Sequence, residues 1–332
     1  MAPDKTKVVY MGTPEFAVPP LQALLGSKNF EVSAVITQED KKVGRKQVLT
    51  PPPVKIAALK ADVPVFQPPK LRGNKEVLDL LEGLDPDFIV VTAYGQILPK
   101  EILDLPRFGC VNIHGSLLPL YRGASPVEEA LLHGDTETGV TFMLMEENLD
   151  SGPVLEIQRI TIDSRDTAET LRIKLSELAA GLLVAVLNDY KEGAVTPLPQ
   201  DDSKATHCHK ISKNDGLIDL TKMSAMQISN RLRAYTPWPG CFLMIDGKKL
   251  RLLEIGIDEN SPAAKKTGPG AIVELSKDSI AIGTREGLII PSKVQLEGKN
   301  PLPIQDFLRG NRELLSKLAA HPNNKKSTTG PW

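Results

Sequence analysis

The stretch Phe88–Thr92, with the sequence FIVVT, is a continuous apolar run. Such a run is typical of a strand that is buried on both faces of a parallel sheet. On either side of it, further short apolar runs occur at Lys7–Met11, Val32–Ile36, Cys110–Ile113 and Val140–Met145. Helical patterns accompany these runs at Pro14–Leu25 and Thr167–Leu187. A further helix is expected to begin in the Pro51–Pro53 run, with Thr50 as its cap, and to continue through VKIAALKA. The alternation predicts an α/β fold with a doubly wound, Rossmann-like, mostly parallel sheet.

The pattern changes after a polar, proline-marked linker at residues 197–203. A short helix is expected first, at Ser224–Ala234. Short predicted strands then follow at Cys241–Ile245, Lys249–Ile255, Ala271–Glu274, Ser279–Ile282 and Leu288–Ser292, with a hairpin turn signal at Asp246-Gly247 and a C-terminal helix at Gln305–Ala319. This series predicts a second, smaller β-barrel of OB-like type. We therefore expect two domains, residues 1–207 and 208–332.

Charge is distributed unevenly along the chain. Residues 1–209 carry 21 Lys and Arg against 29 Asp and Glu, a net charge of −8, and residues 210–332 carry 19 against 12, or +7. A basic half indicates contact with a polyanion, although a solvated basic surface is a common alternative. Three scattered cysteines favour a reducing compartment, and no run is long enough for a signal peptide or a membrane span. A cytoplasmic protein without a membrane partner is expected.

The turn after the first predicted strand argues against a dinucleotide. A Rossmann-type NAD site needs G-x-G-x-x-G at this point, so that backbone amides can approach the pyrophosphate. The chain instead has one glycine and then a proline, in Gly12-Thr13-Pro14. The sheet is therefore expected to serve a different ligand.

Asn112 and His114 stand two residues apart at the end of a predicted strand. Side chains at i and i+2 point to the same face, and ligands of open α/β sheets lie beyond the carboxyl ends of the strands. An amide and an imidazole would therefore project together into that crevice. On its own, an Asn-x-His pair is more often a hydrogen-bonded structural histidine than a catalytic one.

Longer motifs around this pair resemble the folate-dependent formyltransferases. They are NIHGSLLPLYRGASP at residues 112–126 and GVTFMLMEENLDSGPVL at residues 139–155. The segments YMGTPEFAVPPL, TQEDKKVGRKQVLTPPPVK and RAYTPWPG are similar to the branch of the family that acts on methionyl-tRNA. The resemblance implies that Asn112, His114 and Asp150 are catalytic. It also implies that Ser116, Leu117, Leu118 and Pro119 line the pteridine pocket, and that 10-formyltetrahydrofolate is the formyl donor.

These residue types suit formyl transfer to an amine. A free α-amino group has a pKa of about 7.7–8.0, so a useful fraction is already neutral at cellular pH. The harder task is to stabilise the oxyanion, and one positioned donor contributes about 2.7–4 kcal/mol. Asn112 and His114 offer N–H donors, while the Asp150 carboxylate can stabilise a protonated imidazole and relay the proton of the amine. No metal is required, and the spacing of His207-Cys208-His209 matches no zinc site.

The expected macromolecular partner is initiator Met-tRNA rather than DNA, and the enzyme is expected to be a monomer. The resemblance implies that Arg45 reaches the acceptor end of the tRNA, in a basic loop that is otherwise interpreted as mobile and solvated. The candidate tRNA contacts are Lys41, Lys42, Arg45 and Lys46 in this loop, and Lys210, Arg231, Arg233, Lys248, Lys249 and Arg251 in the basic half.

Three other functions remain open on the sequence alone. One is a folate-dependent formyltransferase that acts on a small amine or a nucleotide-sugar, with the same catalytic residues. Another is a non-catalytic RNA-binding protein. The last is a deformylating hydrolase, which would release formate without an acceptor.

Overall fold

The computed structural model describes residues 5–44 and 46–318. The strands are β1 (Thr6–Gly12), β2 (Phe30–Ile36), β3 (Lys41–Val43), β4 (Val48–Thr50), β5 (Val65–Phe66), β6 (Phe88–Thr92), β7 (Cys110–His114), β8 (Arg122–Gly123), β9 (Glu137–Leu144), β10 (Val154–Thr161), β11 (His207–Cys208), β12 (Cys241–Ile245), β13 (Lys248–Asp258), β14 (Ile272–Ser276), β15 (Ser279–Gly283), β16 (Leu288–Leu296) and β17 (Leu302–Pro303). The helices are α1 (Val18–Leu25), α2 (Pro53–Lys60), α3 (Lys75–Leu84), α4 (Lys100–Leu103), α5 (Pro126–His133), α6 (Ala168–Lys191), α7 (Ala225–Ala234), α8 (Pro262–Lys266) and α9 (Ile304–Leu315).

Among the described residues, the first sheet contains seven strands in the order β10-β9-β7-β6-β1-β2-β5. The five strands β5, β2, β1, β6 and β7, in this spatial order, are parallel to their neighbours. Strand β9 is antiparallel to β7, and β10 is antiparallel to β9. Numbered among the parallel strands alone, this is the 3-2-1-4-5 order of a doubly wound sheet. Side chains of the central strands, such as Val9 and Ile89, are fully buried. The mostly parallel, Rossmann-like sheet is confirmed.

The helix predicted to begin in the Pro51–Pro53 run is present, but its predicted cap was wrong and several short or edge strands were not predicted. Thr50 does not cap α2, because it lies in β4 and its hydroxyl donates to the Val48 carbonyl at 3.0 Å. The helix starts at Pro53 with Pro52 as its N-cap, which has no side-chain donor or acceptor to offer. One of the strands that were not predicted is the edge strand β10, whose VLEIQRIT sequence is half polar and partly exposed.

In the part of the chain that the structure describes, the second sheet is antiparallel, with β12-β13-β16-β15-β14 in order and β17 paired to β16. The turn predicted at Asp246-Gly247 joins β12 to β13, and both residues have positive φ, as a tight hairpin turn requires. The end strands β12 and β14 do not pair with each other among these residues. A separate antiparallel sheet is therefore confirmed, whereas closure into an OB-like barrel is not.

Contacts divide the chain into two compact units. The first comprises the chain up to Val127 together with Thr136–Ile162 and Thr170–His209. The second comprises Glu128–Asp135, Asp163–Glu169 and the chain from Lys210 onward. The expected division into domains 1–207 and 208–332 stays a prediction. Within the described residues, no helix combines the length and the apolar character needed to cross a bilayer.

Candidate active site

The structure brings Asn112, His114 and Asp150 together. Asn112 and His114 lie at the carboxyl end of β7 and are 8 % and 5 % exposed. Asp150 lies in the turn between β9 and β10, where its backbone has a φ of +50°. Its Oδ1 is 3.5 Å from the Asn112 amide nitrogen, and its Oδ2 is 3.6 Å from His114 Nδ1. Two residues from one strand and a carboxylate 38 positions later along the chain from Asn112 thus meet in one nearly buried cluster.

Contacts of the imidazole determine which of its nitrogens carries a hydrogen. His114 Nε2 lies 2.9 Å from the Tyr121 carbonyl oxygen. A carbonyl only accepts hydrogen bonds, so Nε2 must be the protonated nitrogen in the neutral ring. The other nitrogen, Nδ1, then carries a lone pair on the side of Asp150. His114 can therefore accept a proton at Nδ1, and it can donate from that atom only when the ring is protonated.

A backbone amide binds the carboxylate of Asp150. The Gly123 N–H donates to Asp150 Oδ2 at 2.8 Å. Gly123 has a φ of +121°, and a Cβ at this position would collide with the backbone oxygen of Cys208 in the adjacent strand β11. Only a glycine fits this close approach without strain. The glycine therefore allows the strand pair β8–β11 to present an N–H to the carboxylate.

The loop after β7 is held by internal hydrogen bonds. Ser116 is fully buried, and its hydroxyl donates to the Leu120 carbonyl at 2.6 Å. The Leu118 N–H donates to the Thr141 hydroxyl at 3.1 Å, and Leu118 is 5 % exposed. By contrast, Leu117 and Pro119 are half-buried. Among the predicted folate contacts, Ser116 and Leu118 therefore shape the loop, and the other two side chains remain accessible to a ligand.

Tyr94 follows the neighbouring strand β6, but it belongs to the apolar core rather than to the site. It lies just beyond the carboxyl end of β6 and is 2 % exposed. Its hydroxyl makes no hydrogen bond to any described residue, and burial raises the pKa of Tyr94 to about 12. Tyr94 packs with Leu71, Leu81 and Ile102, so its hydroxyl is not exposed to a ligand.

Comparison with known proteins identifies the family. A model of the formyl transferase family matches residues 5–187, and a model of the formyl transferase C-terminal domain matches residues 210–312. The chain belongs to the formyl transferase family. It is 44% identical over 303 residues to the methionyl-tRNA formyltransferase of Caldicellulosiruptor saccharolyticus, and this alignment covers 91% of this chain and 96% of the relative. It is also 44% identical over 313 residues to the methionyl-tRNA formyltransferase of Listeria monocytogenes, covering 94% of this chain and 98% of that one.

A solved structure has the same fold at low sequence identity. The N-formyltransferase from Helicobacter canadensis, in complex with folinic acid and dTDP-3-aminofucose, aligns with a TM-score of 0.61 and 17% identity. The alignment covers 86% of this chain and 98% of that one. At this identity the similarity supports the formyltransferase fold alone.

In this formyl transferase chain, the basic segment after β2 forms a hairpin. Strands β3 and β4 pair antiparallel, and Lys41, Lys42 and Lys46 are exposed. Arg45, the most specific of the predicted tRNA contacts, lies outside the described residues. The exposed lysines are accessible to a polyanion, and their contact with tRNA stays a prediction.

The candidates in the second unit of the formyl transferase differ in how they are engaged. Lys210 and Lys248 are exposed, and the half-buried candidates are Arg231, Arg233, Lys249 and Arg251. Arg231 Nε donates to the Asp215 carbonyl at 2.7 Å, and its guanidinium lies over the Tyr235 ring. Arg233 Nη2 donates to Asn230 Oδ1 at 2.8 Å. These contacts stabilise the unit itself, so we expect the exposed lysines to respond most strongly to a phosphate backbone.

Proposed function

We propose that the enzyme transfers the formyl group of 10-formyltetrahydrofolate to the free amino group of methionine on initiator Met-tRNA. The product is N-formylmethionyl-tRNA, which serves translation initiation. The observation that carries the proposal is 44% identity, over more than nine-tenths of the chain, to two methionyl-tRNA formyltransferases. The cluster of Asn112, His114 and Asp150 at the carboxyl edge of the first sheet supplies suitable chemistry. A cytoplasmic monomer is the expected form of the enzyme.

The residues at this edge fit a formylated folate. An amide donor and two accessible apolar side chains suit a flat ring with polar edges. Leu117 and Pro119 would contact such a ring near the Asn112 amide. When bound, the folate supplies the formyl carbon that the amine attacks.

The side chains divide the remaining work. At 3.5 Å, the Asn112 amide is only weakly bonded to Asp150, so it is free to donate to the formyl oxygen as negative charge develops there. His114 accepts the proton lost by the amine at Nδ1, because Nε2–H already donates to Tyr121. The neighbouring Asp150 carboxylate stabilises the resulting cation and relays the proton to the departing folate nitrogen, directly or through water.

The proposal is tested by supplying the full chain with formylated folate and comparing acceptors. We expect formylation of initiator Met-tRNA and much less of elongator Met-tRNA or small amines. A nucleotide-sugar accepted faster than Met-tRNA would instead favour a sugar formyltransferase. Formate released equally with and without any acceptor would indicate a hydrolase.

Arg45 is expected to position the acceptor end, and its substitution with Lys tests this role. A guanidinium can contact a phosphate or a base edge through two donors, which lysine cannot reproduce. Both Arg45→Lys and Arg45→Ala should lower kcat/KM with initiator Met-tRNA, by roughly 1–3 kcal/mol for one lost bidentate contact. Binding of formyl-folate, measured by fluorescence, should not change. An Arg45→Lys enzyme as fast as the parent would show that the loop provides only general attraction.

The second unit is proposed to be an OB-like module that binds the tRNA backbone. Its support is the net charge of +7 on residues 210–332 and the exposure of Lys210 and Lys248. For the parent enzyme, log affinity should fall linearly with log salt, by about 0.7–0.9 per phosphate neutralised. Lys210→Ala and Lys248→Ala should each weaken binding and reduce this slope by about one. Lys277→Ala, an exposed lysine of the same unit outside the candidate set, serves as the control, and equal slopes for all variants would refute the assignment.

A further inference from the structure

The segment predicted as a polar linker contacts the turn that carries Asp150. The side-chain amide of Gln200 donates from Nε2 to the Asp150 carbonyl at 2.9 Å and to the Gly152 carbonyl at 2.8 Å. These two carbonyls lie on either side of Ser151, in the turn where Asp150 has positive φ. A non-glycine residue in this conformation is strained, so surrounding contacts must hold it. The Gln200 side chain thus stabilises the turn through two hydrogen bonds to its backbone.

The opposite side of the Gln200 amide is fixed by an arginine. Gln200 Oε1 accepts from Arg122 Nε at 3.1 Å and from Arg122 Nη2 at 2.8 Å. Arg122 has a side chain only 7% exposed, and its Nη2 also donates to Asp202 at 2.7 Å. Because arginine only donates and the turn carbonyls only accept, the amide has a single orientation that satisfies both sides. Arg122 therefore aims the Gln200 N–H groups at the Asp150 turn.

Arg122 lies between two residues that contact Asp150 and His114 through their backbone. In β8, Gly123 follows Arg122 and donates its N–H to the Asp150 carboxylate, while the preceding Tyr121 carbonyl accepts from His114. Gln200 connects the Arg122 side chain to the Asp150 backbone. Arg122 and Asp150 are therefore linked twice, once through Gly123 and once through Gln200. Gly123 thus binds the Asp150 carboxylate itself, and Gln200 binds the backbone of the turn that carries it.

We infer that Gln200, oriented by Arg122, is a positioning residue that fixes the Asp150 carboxylate against His114 and Asn112. This inference rests on the proposed function. Gln200 itself reaches no reacting atom, since both of its N–H groups are committed to carbonyls. Its contribution is the location of the carboxylate, and a displacement of about 1 Å at a catalytic group can lower turnover by roughly 100-fold.

The test uses Gln200→Met in the full-length enzyme, because methionine has the same length and lacks both donors. We expect kcat for Met-tRNA formylation to fall by about 10- to 100-fold. The KM values for tRNA and for formyl-folate should stay within about twofold, because Gln200 lines neither substrate in this assignment. Hydrogen exchange at the Gly123 amide should become faster in the variant, since the carboxylate it binds is no longer held in place.

Two further variants isolate positioning from stability. Asn74→Ala removes the N-cap of α3, which accepts from the Val77 N–H, and should lower the melting temperature without changing kcat. Arg122→Lys keeps a positive charge for Asp202 but loses the two-donor grip on Gln200. Its effect on kcat should overlap with that of Gln200→Met, so that the double variant is no worse than the more damaging single one.

The outcomes distinguish the positioning role of Gln200 from the proposed function. If the parent enzyme is active, and Gln200→Met has the same kcat and the same Gly123 exchange rate as the parent, this result overturns the inference. Additive losses in the double variant would do the same, and if Gln200→Met does not fold, an Arg122→Lys enzyme with parental kcat overturns it. The Gly123 exchange comparison needs no substrate, so it tests the positioning role even if a parent inactive on Met-tRNA refutes the proposed function.

Discussion

Asp150→Asn is expected to lower kcat by at least about 100-fold while leaving the fold intact. The substitution keeps the shape of the side chain and still offers an oxygen to the Gly123 N–H. It removes the negative charge that faces His114 Nδ1 and places an NH₂ group where the Asn112 amide donates. His114→Ala should have an effect of the same size, because it removes the atom that accepts the proton of the amine. Steady-state kinetics with Met-tRNA provides the measurement.

The control for this pair is Asp104→Asn in the same unit. Asp104 is an exposed aspartate in an ion pair with Lys100 at 2.9 Å, and such pairs contribute about 1 kcal/mol or less. Its turnover should match that of the parent. Formyl-folate binding and melting temperature should be similar in all of these variants. Near-parental turnover in either Asp150→Asn or His114→Ala would show that the catalytic roles are wrongly assigned.

Gly123→Ala is expected to have the largest combined effect on activity and stability. The added Cβ would meet the Cys208 backbone, which cannot rotate away as a flexible side chain would, and alanine disfavours the φ of +121°. Overpacking and backbone strain together should cost roughly 3 kcal/mol of stability. Separation of β8 from β11 would also move the N–H that binds Asp150, so kcat should fall by about 100-fold or more. Kinetics and thermal unfolding measure the two effects.

Gly73→Ala isolates the conformational part of this effect. Gly73 also has a positive φ, of +69°, but no atom lies within 4 Å of the position that a Cβ would take. Its replacement should therefore cost about 1–2 kcal/mol of stability and leave kcat unchanged. If Gly123→Ala behaved like Gly73→Ala in both measurements, the close approach to β11 would have no role in catalysis.

The parts of the fold that the sequence predicted well are those with a strong local signal. Phe88–Thr92 is apolar throughout because it is buried on both faces, and Asp246-Gly247 has the composition that a tight hairpin turn demands. The Asn112–His114 spacing was informative for a similar reason, since alternate residues of a strand share a face. Asp150 was found only through resemblance to a family, because its strand-to-strand turn has no pattern of its own.

Long-range polar contacts could not be predicted in this way. Arg122 and Gln200 are 78 residues apart, and nothing local to either indicates the other. The composition of residues 197–203 is that of a solvated linker. Composition alone does not distinguish a solvated segment from one that packs against the Asp150 turn. Thr50 shows the opposite error, because its cap-like position was overridden by pairing within the β3–β4 hairpin.

The contacts of β8 with β11 and of Gln200 with the Asp150 turn are made by residues that leave the ribosome after the parallel sheet. A ribosome that has released the chain only as far as residue 187, the end of the family's N-terminal match, has delivered the parallel sheet and the side chains of Asn112, His114 and Asp150. It has not yet delivered Gln200 or the strand that backs Gly123. A nascent chain emerges at about 5–20 residues per second, so this interval lasts on the order of seconds. We therefore expect the Asp150 carboxylate to reach its final position only after the sheet has formed, when the last twenty or so residues of the first unit leave the exit tunnel.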